Sequence, residues 1–390
     1  MEKIIRIATV SMSLDILLKG QLAFLNKYYK VIAISGADEH LVHVATRENV
    51  KTLSVAMQRT IAPIKDIVSL IKIYNVLKVQ KPLIIHSITP KAGLLSMTAA
   101  YFAGVPIRMH TFTGLLFPTK TGLMKQVLII MDKLLCKFAT HVYPEGEGVK
   151  KDLEKFKITK KPLKIIANGN VNGIDINYFS KNNFSDTENN KLKIKFKIKP
   201  NDFVFIFVGR IVVDKGINEL IAAFIELSKT EKHCKLILVG PFEDEIPALQ
   251  QATYQEIENN KQIISVGFQK DVRPWFAISN ALVFPSYREG FPNVVLQAGA
   301  MELPSIVTDI NGSNEIIENN NNGIVIPVKN KNAIFIAMKK MINEPLFIAS
   351  LSHNARPFIT TKYKQELVWN ALLNEYKIAE ETLLKKKSQS

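Results

Sequence analysis

Apolar positions along this chain fall into two series. In the first, the runs IIRIATVS (4–11), KVIAIS (30–35), KTLSVA (51–56), PLIIHS (82–87) and PIRMHT (106–111) read as strands. Several are apolar almost throughout, as strands buried on both faces of a parallel sheet are. Between them GQLAFLNKY, IKDIVSLIKIYNVLKV and KAGLLSMTAAYFAG place apolar residues at helical spacing, with Gly104 as a helix stop. The second series begins near Asn201, with DFVFIFVG (202–209), CKLILVG (234–240), QIISVG (262–267), NALVFPS (280–286), PSIVTD (304–309) and GIVIP (323–327) as strands separated by helices. Two such series predict an α/β protein of two doubly wound, parallel-sheet, Rossmann-like domains. The join falls in NGNVNGIDINYFSKNNFSDTENN (168–190), rich in Asn, Gly and Ser. The last helical stretch, KQELVWNALLNEYKIAEETLL (364–384), follows the second sheet.

Length agrees with this division, because 390 residues exceed one core and a 47% hydrophobic composition supplies two. The two cysteines, Cys136 and Cys234, are far apart and outside any paired spacing. Buried, inert thiols in a reducing compartment are expected rather than a disulfide framework or a zinc site. Asp15, Ser11 and Ser13 break up the apolar character of the N-terminal stretch, so it does not read as a signal peptide. No apolar run reaches the roughly 18 residues of a spanning helix. A cytoplasmic protein is expected.

Charge changes the picture more. The net charge is +16, and residues 1–170 hold 25 Lys+Arg against 11 Asp+Glu, while the rest of the chain holds 26 against 24. A Lys-rich composition serves solubility in general, but a field confined to one half favours an anionic partner: a phosphorylated substrate, an anionic membrane face or nucleic acid. No basic stretch carries the interleaved aromatics that stack single-stranded nucleic acid, so nucleic acid is disfavoured. No GxGxxG opens a helix, so no dinucleotide cofactor is expected. The seven histidines show no metal spacing, and no metal is expected.

Ligands of open α/β sheets bind beyond the carboxyl ends of the strands, so chemistry is sought there. In FVGRIVVDKG (207–216), an apolar strand ends at Gly209 and is followed by Arg210, Lys215 and a helix. A guanidinium fork, an ammonium and a helix N-terminus together suit a diphosphate. In YREGFPNVVLQAGAME (287–302), Glu289 sits on a turn after ALVFPS, and Gln297 stands eight residues later in a helix. Asn293, at the start of that helix, reads as a local cap. The backbone N–H groups of 293–295 could hold a phosphate.

These segments together resemble the retaining glycosyltransferases of family 4. VFPSYREGFPNVVLQAGAMELPSIVTD is similar to that family's E-x7-E segment, Arg210 and Lys215 match its diphosphate-binding pair, and DINGSNEII (309–317) is similar to its next donor loop. The resemblance covers roughly residues 1–380. It implies the GT-B architecture, two Rossmann-like domains facing across a cleft. An acceptor-binding domain would span 1–170, with a C-terminal helix crossing back over 360–384, and a nucleotide-sugar donor domain would span 171–359. By the same resemblance Gly209, Gly290, Phe291, Pro292, Asn293 and Val294 join Arg210, Lys215 and Gln297 around the donor. Glu289 would steady the positive character of an oxocarbenium-like transition state, and the two cations would neutralise the departing diphosphate. Gln297 departs from the family, which usually has a second Glu there. An amide still accepts from one ribose hydroxyl and donates to another, but more weakly than a carboxylate.

In the first half, Gly20 is expected at a helix N-terminus directly after the first strand, against the donor phosphate. The family often carries two glycines at that point. His110 is expected near the transferring sugar, and Lys91, Thr111, Thr113 and Gly114 near the acceptor. Segment 119–141, with Lys120, Lys125, Lys133 and Lys137 among apolar residues, reads either as a core-facing helix or as one that docks on an anionic membrane surface. The implied activity is retaining, metal-independent transfer of a hexose or N-acetylhexosamine. The donor would be a nucleoside diphosphate sugar, of the UDP class, and the acceptor a polyprenyl-diphosphate-linked saccharide. Transfer would take place at the inner face of the cytoplasmic membrane, in capsule or O-antigen assembly. A nucleotide-sugar epimerase on the same fold and a catalytically silent scaffold subunit are the alternatives.

Overall fold

The computed structural model describes residues 1–243 and 248–389 and divides into two compact units, Met1–Gly173 together with the chain from Gln365 onward, and Ile174–Lys364. The first unit is a six-stranded parallel sheet of β1 (Lys3–Ile7), β2 (Lys30–Ser35), β3 (Lys51–Ser54), β4 (Ile84–Ser87), β5 (Ile107–Phe112) and β6 (His141–Pro144), in the order β3-β2-β1-β4-β5-β6. Alternate side chains of each strand enter different cores, as the two-residue period of a strand requires. Ile4, Val31, Ile84 and Ile107 pack with Leu14 of helix Ser11–Leu17, Val44 of Glu39–Glu48 and Leu372 of the C-terminal helix. Ile5, Ile32 and Ile85 pack with Ile73 of helix Pro63–Gln80, Leu95 of Pro90–Ala103 and Leu135 of Gly122–Phe138. Both thiols are buried and unpaired.

Two expectations change here. The first strand stops at Ile7 rather than residue 11, because Ser11 already begins a helix. The strand β6 has no counterpart among the expected ones. Its HVYP is too short and too polar to stand out beside the long helix before it.

The chain returns to this unit through the helix Gln365–Ser388. Its Tyr376 hydroxyl lies 2.7 Å from Arg6 Nη1 and 2.8 Å from His86 Nδ1, and all three side chains are buried. Arg6 is therefore held by a phenol and an imidazole in place of a carboxylate. Trp369 donates from Nε1 to Asn172 at 2.7 Å. Its ring lies where a Cβ on Gly20 would be, only 2.7 Å away, so residue 20 must be glycine for the helix to seat.

The second unit repeats the plan with β7 (Phe203–Val208), β8 (Cys234–Val239), β9 (Ile263–Ser265), β10 (Ala281–Phe284), β11 (Ser305–Thr308) and β12 (Gly323–Ile326), ordered β12-β11-β10-β7-β8-β9. All six were expected, with ends shortened by a residue or more. Phe205, Phe207, Leu236, Ile237, Val283 and Ile306 form its buried centre.

Replacing Tyr376 by Phe should leave a buried guanidinium one partner short, at a cost of about 1–3 kcal/mol. Urea unfolding of the wild type and Tyr376→Phe measures this, and an unchanged midpoint would show that Arg6 is satisfied without the phenol.

Candidate functional site

Each sheet winds outward in both directions from its first strand, so winding reverses between β1 and β4 in the first and between β7 and β10 in the second. At such a switch point the loops diverge and leave the carboxyl edge open.

In the second unit, the loop after β7 carries Lys215 and the loop after β10 carries Glu289, and the two side chains form an ion pair across the switch point. Each is about five-sixths buried, at 16% exposure. Ser286 Oγ donates to the same Glu289 oxygen at 2.7 Å, and the Lys215 ammonium lies 5.5 Å from the Phe284 ring centroid. Backbone packing fixes these loops. Gly216, at φ +72°, leaves no room for a Cβ, which would meet the Pro285 carbonyl oxygen at 2.2 Å. Gly312, at φ +75°, packs equally closely on the Gly290 carbonyl and locks the loop after β11 against 290–292. Arg210 extends from the same edge to Glu243, on the loop after β8, at 2.8 Å. Gln297 is half-buried on the helix Asn293–Ala300, and its amide bonds to no described residue.

In the first unit, a pocket of about 260 Å³ lies at the β1/β4 switch point. Thr9 and Val10 follow β1, Thr89 and Lys91 follow β4, Gly114 and Leu116 follow β5, and the helix Gly122–Phe138 contributes Leu128, Met131 and Asp132. Thr9 and Thr89 close its floor with a hydroxyl pair at 2.8 Å.

Comparison with known proteins then identifies the chain. Residues 188–358 match the family model described as glycosyl transferases group 1, and residues 6–145 match that described as glycosyl transferase 4-like. The capsular polysaccharide biosynthesis glycosyltransferase CapM of Staphylococcus aureus is 31% identical over 96% of this chain and 97% of its own length. The chain belongs to the group 1 glycosyltransferases. A second relative is the UDP-Gal:alpha-D-GlcNAc-diphosphoundecaprenol alpha-1,3-galactosyltransferase of Escherichia coli, 29% identical over 76% of each chain. Among solved structures, Anabaena HepE in complex with UDP and glucose superposes with a TM-score of 0.82 over 97% of this chain and 100% of that one. At 17% identity it speaks for the fold alone, the two-Rossmann GT-B architecture of these glycosyltransferases.

Several residues of this glycosyltransferase stand elsewhere than expected. His110 is fully buried, with Nδ1 2.7 Å from Ser87 Oγ and its edge against Phe112, while its Nε2 meets no partner among the described residues. Desolvation pushes its pKa down to about 3. Gly20 does not follow the first strand, since the helix Ser11–Leu17 intervenes, and its N–H is taken by Glu48 at 2.9 Å. Lys91 is no free cation for a phosphate, because Asp66 holds its ammonium through both oxygens at 2.8 and 2.9 Å. Thr111 is tied to His86 Nε2 at 2.8 Å and Thr113 to the Ile88 carbonyl at 2.8 Å, which leaves Gly114 as the member of that turn lining the pocket. The N-cap of the 293–300 helix is Pro292, not Asn293, and Phe291 is buried against Tyr363. Ser286 and Asp132 were not foreseen. Ser286 carries only the faint mark of a Pro-Ser at a strand end, and Asp132 is concealed in an amphipathic helix.

Burial makes His110 a source of acid sensitivity. Its folded pKa lies below the unfolded value, so below about pH 6.5 the unfolded chain binds the extra proton and stability falls as pH falls. His86, held well below its ordinary value by burial and by Arg6, acts in the same direction. His110→Gln should lose less stability than the wild type between about pH 6.5 and 4.5, by roughly 1 kcal/mol or more at the lower end. Parallel pH-dependent melting curves test this, and superposable losses would refute it.

Proposed function

We propose that this glycosyltransferase works with retention and without a metal, moving a hexose or N-acetylhexosamine from a nucleoside diphosphate sugar to a polyprenyl-diphosphate-linked saccharide. Its place would be in the assembly of capsule or a related surface polysaccharide. The observation that carries the reading is the Lys215–Glu289 pair, a cation and an acid held together at a switch point with little access to water. An ammonium has three donors, so Lys215 keeps one on Glu289 while presenting others to a diphosphate. Arg210, on the same edge, adds a second cation, and together they offset the charge that develops on the leaving diphosphate. Glu289 is thereby positioned as a carboxylate beside an electron-poor sugar carbon. Gln297, with its amide uncommitted, is available to the ribose hydroxyls. The relatives support the substrate classes: one is named for capsular polysaccharide biosynthesis, and two for sugars linked through a diphosphate to undecaprenol.

A lipid-linked acceptor calls for a surface that meets a membrane, and the first unit offers one. Helix Pro63–Gln80 exposes Ile64, Ile67, Val68 and Ile71, one helical stripe, with Lys65 and Lys72 beside it. Helix Gly122–Phe138 exposes Leu123, Ile130 and Leu134 with Lys133 and Lys137. Both helices flank Pro90–Ala103 on one face of the sheet. Apolar stripes bordered by lysines suit shallow docking on anionic lipid. No helix among the described residues is long and apolar enough to cross a membrane.

Purified protein offered labelled UDP- and GDP-sugars should hydrolyse or transfer one of them in the presence of a chelator, and Lys215→Ala should abolish turnover while keeping its melting temperature. Near-normal turnover in that variant would discard the diphosphate assignment. Isomerised free nucleotide sugar would indicate an epimerase, and absence of nucleotide binding a scaffold. Gln297→Glu should show an equal or lower donor KM, whereas a severe loss would give the amide a role of its own.

Membrane docking has its own check. Sedimentation with vesicles rich in phosphatidylglycerol should weaken as salt rises and should weaken further in Ile67→Asp/Ile71→Asp. Indifference to both would remove the docking surface.

A further inference from the structure

The pocket of the first unit contains a carboxylate that the protein itself does not use. Asp132 lies one turn before the buried Cys136 and points into the pocket among Val10, Leu94, Leu116, Leu128 and Met131. Its oxygens accept no hydrogen bond from any described residue, although part of the side chain still meets solvent inside the pocket. Desolvation pushes its carboxyl up to about 7. Lys91, which also lines the pocket, is committed to Asp66. Of the other polar lining groups, Thr9 and Thr89 are bonded to each other, while the side chains of Ser13 and the exposed Arg59 bond to no described residue.

An unpaired, partly desolvated carboxylate costs a fold stability. A structural role therefore does not account for it. A ligand does. Apolar walls with one carboxylate and one hydroxyl match a pyranose ring, whose C–H faces pack on Leu and Met while its hydroxyl or acetamido N–H groups donate to the acid. At 260 Å³ the pocket is at the small end of ligand cavities, suited to one sugar unit rather than a chain of them. Arg59 at the rim suits a phosphate linked to that sugar.

We propose that Asp132 recognises the acceptor: the pocket at the β1/β4 switch point receives the acceptor's terminal sugar, and Asp132, aided by Ser13, accepts its hydrogen bonds while Arg59 meets the diphosphate. This rests on the transferase reading above but is tested by binding, without turnover. The probes are N-acetylglucosamine joined through a diphosphate to farnesol, and farnesyl diphosphate without the sugar. Wild type should bind the sugar-bearing probe about tenfold or more tighter than the bare one, and Asp132→Asn should lose that difference. The variant should melt at an equal or higher temperature than wild type and keep its affinity for UDP. Lys215→Ala should behave oppositely, losing UDP but holding the probe. Equal binding of the sugar-bearing probe by wild type and Asp132→Asn would overturn the proposal. So would equal binding of both probes by wild type, which would hand the pocket to the prenyl chain, and so would a fall in the variant's melting temperature, which would make Asp132 structural. Failure of the donor reading looks different: wild type would then bind no UDP, whatever Asp132→Asn does to the probes.

Discussion

A sheet that winds both ways from its first strand leaves its carboxyl edge uncovered where the winding reverses, and every group proposed to act here follows from that constraint. Loops after β7 and β10 meet through backbone at their bases, where Tyr287 N–H donates to the Asp214 carbonyl at 2.8 Å, and leave the edge beyond them to side chains. The pair that meets there is Lys215 with Glu289. In the first unit the same edge is left wider. Thr9 and Thr89 bridge its base, and the space above them stays open as the pocket.

Holding such loops still requires backbone to touch backbone. Gly240 approaches the Gly209 carbonyl, Gly216 that of Pro285 and Gly312 that of Gly290, each at a distance no Cβ tolerates and each with positive φ. These contacts join the loops after β7, β8, β10 and β11 into one rigid rim. A cation and an acid carried on that rim keep their spacing without help from a ligand, which is the preorganisation that electrostatic catalysis demands. The cost is paid in conformational freedom, and glycine is the residue type that makes it tolerable.

Much of this was legible from hydrophobic pattern alone. Strands buried on both faces have nowhere to put polar residues, so runs such as FVFIFV and CKLILV identify themselves. HVYP does not, because four residues that begin with His and end with Pro give neither a long apolar run nor a clear alternation. Side-chain direction was the harder problem. His110 follows a strand and looks like a site residue, but along β5 alternate positions point into opposite layers, and His110 points under the helix Pro90–Ala103, where its ring occupies the space that Gly93 leaves. Gly20 presents the complementary error. A glycine before a helix suggests a phosphate, yet its actual neighbour is Trp369, nearly 350 residues away in sequence and beyond the reach of any local motif.

Amphipathic helices raise a different ambiguity, since periodicity locates an apolar stripe without saying what covers it. IKDIVSLIKIYNVLKV carries two such stripes. Ser69, Ile73 and Leu77 face the sheet, and Ile64, Ile67, Val68 and Ile71 face outward, so its second stripe has no partner within its unit. The helix Gly122–Phe138 divides likewise, but one residue on its inner side, Asp132, is an acid. An apolar outer stripe and a polar exception on the inner side are both departures from what packing alone would select. Departures of that kind mark where a sequence answers to something other than its own fold. Here both lie on helices that flank a single neighbour, which puts the proposed lipid contact and the proposed sugar pocket on the same layer of the same unit.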